Sequence, residues 1–247
     1  MRSSRVPLLI ALMIVIMVPQ VAAQSTGSEQ TVEEAYLQQS LEGMIIREQA
    51  YAASKDMKLI ALEYIREAIE GNRITAEIAE TLQFLSTEGI LDITRSAGLG
   101  RALNNFPDVR REAAILLGNI QTVEAKDTLI KLALADNEPM VIAAALRSLG
   151  RIGIVENDDV TQVIAFIISR WDVLAPDNIL AYESLAALEA LADANDGLRD
   201  PAAIRAIIRI SEGNYIAVVK QKARELLAKL RQLSAAATNG STTTTNP

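Results

Sequence analysis

The chain has 247 residues, 50% of them hydrophobic and 22% charged, with 24 basic residues against 31 acidic ones and a formal net charge of −7. It contains no His and no Cys, which excludes zinc–thiolate centres, imidazole-activated nucleophiles, disulfides and haem attachment, while oxygen-only magnesium or calcium sites stay open. A pI near 4.9 argues against nucleic-acid binding through the overall field, although a local basic strip escapes a whole-chain average.

The first 23 residues have the pattern of a secretory signal peptide. Arg2 and Arg5 precede an apolar run from Leu8 to Val18, and small residues follow at Ala22-Ala23, where cleavage is expected. That run is 11 residues long, whereas a spanning helix needs about 20, so no stable membrane anchor is expected after cleavage. The mature chain then carries 22 basic and 31 acidic residues, a net charge of −9. The expected location is the periplasm or the extracellular medium. A cysteine-free chain suits an oxidising compartment because it has no thiol to misoxidise.

Residues 24–30 are polar and small, a flexible leader. From Thr31 to about Leu233 the pattern is helical almost throughout, with residues 31–104 forming divergent repeats or a separate helical cap. The β-branched stretch Val160–Ile168 matches its helical neighbours in length and flanks better than it matches an isolated strand. Residues 234–247, rich in Ala, Asn, Ser and Thr, are expected to form a disordered tail, and the N-glycosylation tripeptide Asn239-Gly240-Ser241 falls inside it.

Repetition is the informative feature. Val109, Ala113, Leu117 and Gly118 recur 32 residues later as Val141, Ala145, Leu149 and Gly150. A shift of 39 gives Leu180, Ser184 and Leu188, and a second shift of 39 gives Val219, Ala223 and Leu227. Upstream, Asp56-Met57-Lys58 and Ala61 echo Asp108-Val109-Arg110 and Ala113 with a shift of 52. Each motif helix is followed by a second amphipathic one, over Glu124–Leu134, Val160–Arg170 and Pro201–Ile210. Local start signals are Thr122 or Val123, a capping box of Asp159 with Gln162, and Asp200 before Pro201. The proline-containing linkers Asp136–Pro139 and Ala175–Asn178 are expected to separate the pairs. A lone helical hairpin cannot enclose its apolar stripe, but stacked hairpins bury a continuous one. The expected fold is therefore all-α, a right-handed α-solenoid of stacked helical hairpins.

The stretch Pro107–Ala114 with Leu117-Gly118, repeated over Val141–Gly150, resembles a HEAT repeat of the short type first associated with phycobilisome lyases. In the second copy Ile142 stands where the pattern has a basic residue, and in the third Glu189 stands where it has glycine. The clear resemblance covers Asn105–Ile210, and a broader armadillo-like resemblance makes residues 105–233 HEAT-like repeats with a terminal capping helix. Segments Glu42–Glu48 and Met57–Ala68 also resemble exported HEAT-repeat proteins of spirochaetes, which implies a cell-envelope scaffold. HEAT architecture serves scaffolds, adaptors and a few enzymes, so the resemblance implies a fold more than an activity.

The candidate chemistry is sparse. Asp158-Asp159 and Asp193, Asp196 and Asp200 are acidic groupings that either cap helices or do acid/base work. The Asp193–Gly197 segment has calcium-loop composition without EF-hand spacing. The HEAT resemblance implies that Arg110 ties adjacent hairpins by pairing with a linker acid. Arg147 with Arg151, and Arg205 with Arg209, are i, i+4 pairs that mark a solvated face or a protein interface. Trp171 either closes the apolar seam at a turn or anchors a partner. Tyr64, Phe84, Phe106, Phe166 and Tyr182 are expected to fill the core. No catalytic residue, cofactor or metal site is assigned. The leading expectation is a noncatalytic, exported scaffold or adaptor acting through a protein partner or self-association, with Arg147, Arg151, Trp171, Arg205 and Arg209 as candidate interface. The alternative is an exported HEAT-fold enzyme or chromophore-handling, lyase-like protein using Asp, Glu or Tyr.

Overall fold

The computed structural model describes residues 31–241 apart from 92, 96–99 and 101 and, within the helices, the side chains of 32, 35, 36, 174 and 236–241. The expected signal peptide and leader, and residues 242–247 of the tail, lie outside the described residues. The described residues form ten α-helices and no strand: α1 (Val32–Tyr51), α2 (Lys55–Glu70), α3 (Ala76–Thr87), α4 (Pro107–Leu117), α5 (Val123–Ala135), α6 (Pro139–Ile152), α7 (Asp159–Leu174), α8 (Asn178–Ala194), α9 (Pro201–Glu212) and α10 (Ala217–Ser241). Even-numbered helices stack successively in one layer and odd-numbered helices in the other. A single apolar core running from Ile46 to Leu226 lies between them. This is a HEAT/armadillo-like solenoid, and α1–α3 belong to the same two layers as the clearer repeats.

Local chemistry sets the helix starts. Thr75, Thr122, Asp177 and Asp200 each accept a backbone amide of the first turn, and Thr31 with Glu34 forms a capping box. Pro107, Pro139 and Pro201 occupy first positions, where a missing amide hydrogen leaves nothing unpaired. Four sequence expectations need correction. Asp159 is not a cap: Asp158 occupies that position with φ of 60°, and Asp159 lies one residue inside α7, where its carboxylate is taken by Lys126. The linkers Asp136–Pro139 and Ala175–Asn178 lie within hairpins, because α5 packs more extensively on α6 than on α4 and α7 more on α8 than on α6. Helix α10 runs to Ser241, past the expected start of the tail, since Ala235–Ala237 have the highest intrinsic helix propensity. Tyr64, Phe166 and Tyr182 are exposed because their helical phase turns them outward, while Phe84 and Phe106 pack against the core.

Helix spacing in the even layer is set by small residues. A β-carbon at Gly118 would lie 2.6 Å from Ser148 Oγ, and one at Gly150 would lie 2.7 Å from Ala187 Cα. Both glycines therefore serve close approach of α4 to α6 and of α6 to α8. Left-handed geometry is not what Gly118 supplies, since its φ is −63°. Ala113, Ala145, Leu117 and Leu149 are fully or almost fully buried beside these contacts. On α8 the glycine position is Glu189, which instead reaches across to Lys222 and Lys229 of α10 at 2.8 and 3.4 Å.

A ladder of buried charge joins the layers. Lys58 on α2 donates to the Ala50 carbonyl at the end of α1 and pairs at 2.7 Å with Glu88, which closes α3. Arg110, 52 residues on, repeats the device. Its guanidinium donates to the Glu88 carbonyl, to Asn105, and at 2.8 Å to Asp136, which closes α5. Asp136 in turn accepts the amides of Asn137 and Glu138 leading into α6. The expected structural role of Arg110 is what the fold displays. One level on, the cation is replaced by Ile142 and the acid by Ala175, and one further by Ala181 and Gly213. A separate buried cation, Lys126 on α5, holds Glu156 at 2.9 Å and Asp159 at 2.6 Å. Burial pushes the Asp159 carboxyl upward, but the Lys126 ammonium and the amides of Glu156 and Val160 outweigh it and hold it below its ordinary value.

Truncating Leu149 to Ala is expected to cost about 2–5 kcal/mol, and Gly150→Ala about 1–3 kcal/mol by overpacking against Ala187, both read as shifts in urea midpoint. Arg110→Ile alone should cost about 3–5 kcal/mol because it strands a buried carboxylate. The pair Arg110→Ile with Asp136→Ala, which copies the chain's own Ile142 and Ala175, should cost less than either single change. For Asp159, the depressed folded pKa gives stability that is complete above the ordinary carboxylate range of about 4 and lost as pH falls through the depressed value. Asp159→Asn is therefore expected to destabilise near neutral pH and progressively less as pH falls through the depressed Asp159 value, in urea titrations of both chains.

Candidate docking groove

The stacking that buries α6 between α4 and α8 also makes a surface feature. Ala143, Ala144 and Ser148 leave the outer face of α6 low, while Ile115 on α4 and Ile179 on α8 stand on either side. Met140 closes one end, and the groove encloses about 410 Å³. Met140 and Ile179, at the mouth of this depression, are 57% and 64% exposed. Arg111, Arg147 and Arg151 line the same space with a single carboxylate, Glu183.

The arginines are positioned by the helices on both sides. Arg147 donates to both oxygens of Glu183 on α8, at 3.1 and 3.3 Å. Arg151, one turn along α6, reaches the opposite way to Asn119 Oδ1 at 2.7 Å, just beyond the end of α4. The i, i+4 spacing thus does place Arg147 and Arg151 on one face, and that face is the groove. The Arg147–Glu183 pair contributes at most about 1 kcal/mol, because the arginine side chain is 62% exposed and water screens it. Its geometric consequence is larger than its energy: it holds a guanidinium upright beside an apolar floor.

The other sequence candidates lie on the odd layer. Arg205 and Arg209 are exposed on α9; Arg209 stands 3.7 Å from Asp172, and Arg205 makes no ion pair among the described residues. Asp172 also accepts the Tyr215 hydroxyl at 3.1 Å. Burial raises the Tyr215 hydroxyl well above its ordinary range, and the Asp172 carboxylate adds to the effect. Trp171 is half-buried and packed on the core, with its indole N–H buried and without an acceptor among the described residues. The five candidate residues therefore fall into two groups on different layers. Sequence reading did not select Arg111, Ile115, Met140 or Ile179. Isolated apolar residues at helix starts look like core until their helical phase is known.

The acidic groupings are placed as structural elements. Asp193 pairs with Lys229, Asp200 caps α9, and Asp196 stands at a turn with φ of 53°. Among the described residues no group of three or more carboxylates has a geometry suited to a metal ion, and no helix is long and apolar enough to cross a membrane. The Glu189 carboxyl is held below its usual range by the hydrogen bond from Lys222, with burial opposing and Lys229 assisting.

The family described as HEAT repeats matches the chain over residues 97–173, which spans α4 to most of α7 and includes the α4 and α6 walls of the groove. No curated protein matches the chain. Repeat similarity and helix stacking agree: the chain is an all-α repeat protein with HEAT/armadillo-like hairpin packing, a fold consistent with a noncatalytic scaffold.

Proposed function

We propose that the protein is an exported, noncatalytic scaffold or adaptor of the bacterial cell envelope that holds a protein segment in the α4–α6–α8 groove. The observation that carries this reading is the groove itself, with an apolar floor, three arginines around it and a rigid stacked wall beneath. A scaffold of this kind binds through a preformed surface, so little ordering free energy is lost on association. The N-terminal signal pattern supports export, and the absence of cysteine suits that compartment. Acid/base chemistry has less support where carboxylates are engaged: Glu156 and Asp159 by Lys126, Asp193 by Lys229, and Asp172 by Tyr215 and Arg209.

The test is site-specific photocrosslinking from Met140 and Ile179 in the native cell, with mass spectrometry also reading the mature N-terminus. The expected result is one reproducible protein partner at the groove and a chain beginning at Gln24. Arg147→Glu with Arg151→Glu should lower capture about 10-fold, equivalent to roughly 1.4 kcal/mol, with unchanged helical circular dichroism. Crosslinks confined to the molecule itself overturn the reading, and an intact N-terminus overturns the export part alone.

A further inference from the structure

The opposite end of the molecule carries an uncovered apolar face that the groove does not explain. Helix α1 buries Ile46 and Ala50 on one side, yet on the other Leu37, Leu41, Met44 and Ile45 are 61%, 58%, 59% and 49% exposed. Their i, i+4, i+7, i+8 spacing makes one stripe. Helix α2 continues it with exposed Met57, Ile60 and Tyr64. A depression of about 870 Å³ joins the two helices through Leu41, Ile45, Tyr64 and Glu67, with the Arg73–Glu42 ion pair also lining it. The terminal repeat of a solenoid ordinarily turns a polar face outward, so a helix apolar on both sides marks a surface made to be covered.

Charge identifies the occupant. Every described cation from α1 through α3 is already engaged: Arg47 by Glu77, Lys55 by Asp108, Lys58 by Glu88, Arg66 by Glu112 and Arg73 by Glu42. Among the described residues Glu33, Glu48, Glu63, Glu67 and Glu70 make no ion pair. The helical phases of Glu34 and Glu48 place them in line with the α1 stripe, and that of Glu67 places it in line with the α2 stripe. We propose that the outer face of α1 and α2 docks a basic amphipathic helix of a partner protein, its apolar side on Leu41, Ile45 and Tyr64 and its lysines or arginines on the surrounding carboxylates. A second copy fits poorly. Glu34 and Glu48 each lie seven residues from Leu41, so antiparallel pairing centred there sets the two carboxylates against each other. An anionic lipid surface is repelled by the same rim.

The test uses the full chain and a fluorescent helical peptide with leucines on one face and lysines on the other, compared with the same peptide carrying glutamates. Anisotropy should show micromolar binding of the lysine peptide and at least about 10-fold weaker binding of the glutamate peptide. Ile45→Ser with Tyr64→Ser, and separately Glu48→Lys with Glu67→Lys, should each weaken binding at least about 10-fold. The control Glu138→Lys with Glu212→Lys, which changes net charge equally elsewhere, should leave it unchanged. In hydroxyl-radical footprinting the peptide should protect Met44 and Met57 and leave Met140 reactive. Equal weakening by the control pair overturns the proposal, as does protection at Met140 in place of Met44 and Met57. So does protection of Met44 and Met57 without peptide, whether it rises with protein concentration, disappears when residues 1–30 are removed, or appears only with lipid vesicles. The face is separate from the α4–α6–α8 groove, so any of these results leaves the groove reading standing.

Discussion

The guanidinium of Arg110 is the joint on which the stacked architecture turns. A solenoid has to fix where each helix of one layer ends against the helices of the other, and helix C-termini arrive there with unpaired carbonyls. Arg110 meets the last carbonyl region of α3 and the carboxylate that closes α5, while its own helix carries the packing surface of the even layer. Five fixed donors suit it to this arrangement, which a single point charge satisfies less completely. One level earlier Lys58 performs a reduced version with two partners. At the two following levels the joint is apolar, with Ile142 and Ala181 in the cation's place. Cation and acid are lost together, so the joint at these two levels keeps neither charge without its partner, the outcome that desolvation penalises most. The chain thus contains both physical solutions to one problem, ionic in its first half and apolar in its second.

With the axial position of each level fixed, lateral spacing decides what surface results. Gly118 and Gly150 bring α4, α6 and α8 within backbone contact of small side chains. That closeness lets short residues on the outer face of α6 lie below Ile115 and Ile179, and the groove is the consequence. Between α8 and α10 the glycine is absent, the helices meet through Glu189, Lys222 and Lys229, and an ion-pair bridge takes the place of close backbone contact. The same repeat position therefore produces a groove wall in one place and a charged seam in another.

Much of this was legible in the sequence because repetition multiplies weak signals. The 32-residue recurrence of Val109, Ala113, Leu117 and Gly118 located the even layer, and the HEAT resemblance implied a linker acid for Arg110, which the structure supplies as Asp136. What stayed hidden depended on relations between layers. Lys126 reads as an ordinary solvated lysine within its own helix, and only the approach of the α6–α7 turn buries it between Glu156 and Asp159. That same approach converts Asp159 from an apparent cap into a lysine partner. The arginine pairs on α6 and α9 look equivalent along the chain, yet they stand on different layers. Aromatic residues mislead for a related reason: Phe84 and Phe166 both sit among apolar neighbours, and only the phase against the core separates the half-buried one from the exposed one.

The two ends of the described solenoid are physically unlike, which bears on how it associates. The α1–α2 end is apolar and surrounded by free carboxylates, whereas α10 turns Gln221, Arg224, Glu225 and Arg231 outward. Head-to-tail stacking of copies would set a basic face on an acidic one, but it would leave the α1 stripe against polar side chains and unburied. Open-ended association is of this heterologous kind, and against the α1 stripe α10 sets, among the described residues, only Val218 and the neighbouring Ile216 as exposed large apolar side chains. The two ends of the described solenoid therefore do not match each other, and the proposed docking face lies at one of them. Burial of that end requires a partner that brings its own apolar stripe and cations, which is a stricter demand than the stacking of like repeats and a more selective one.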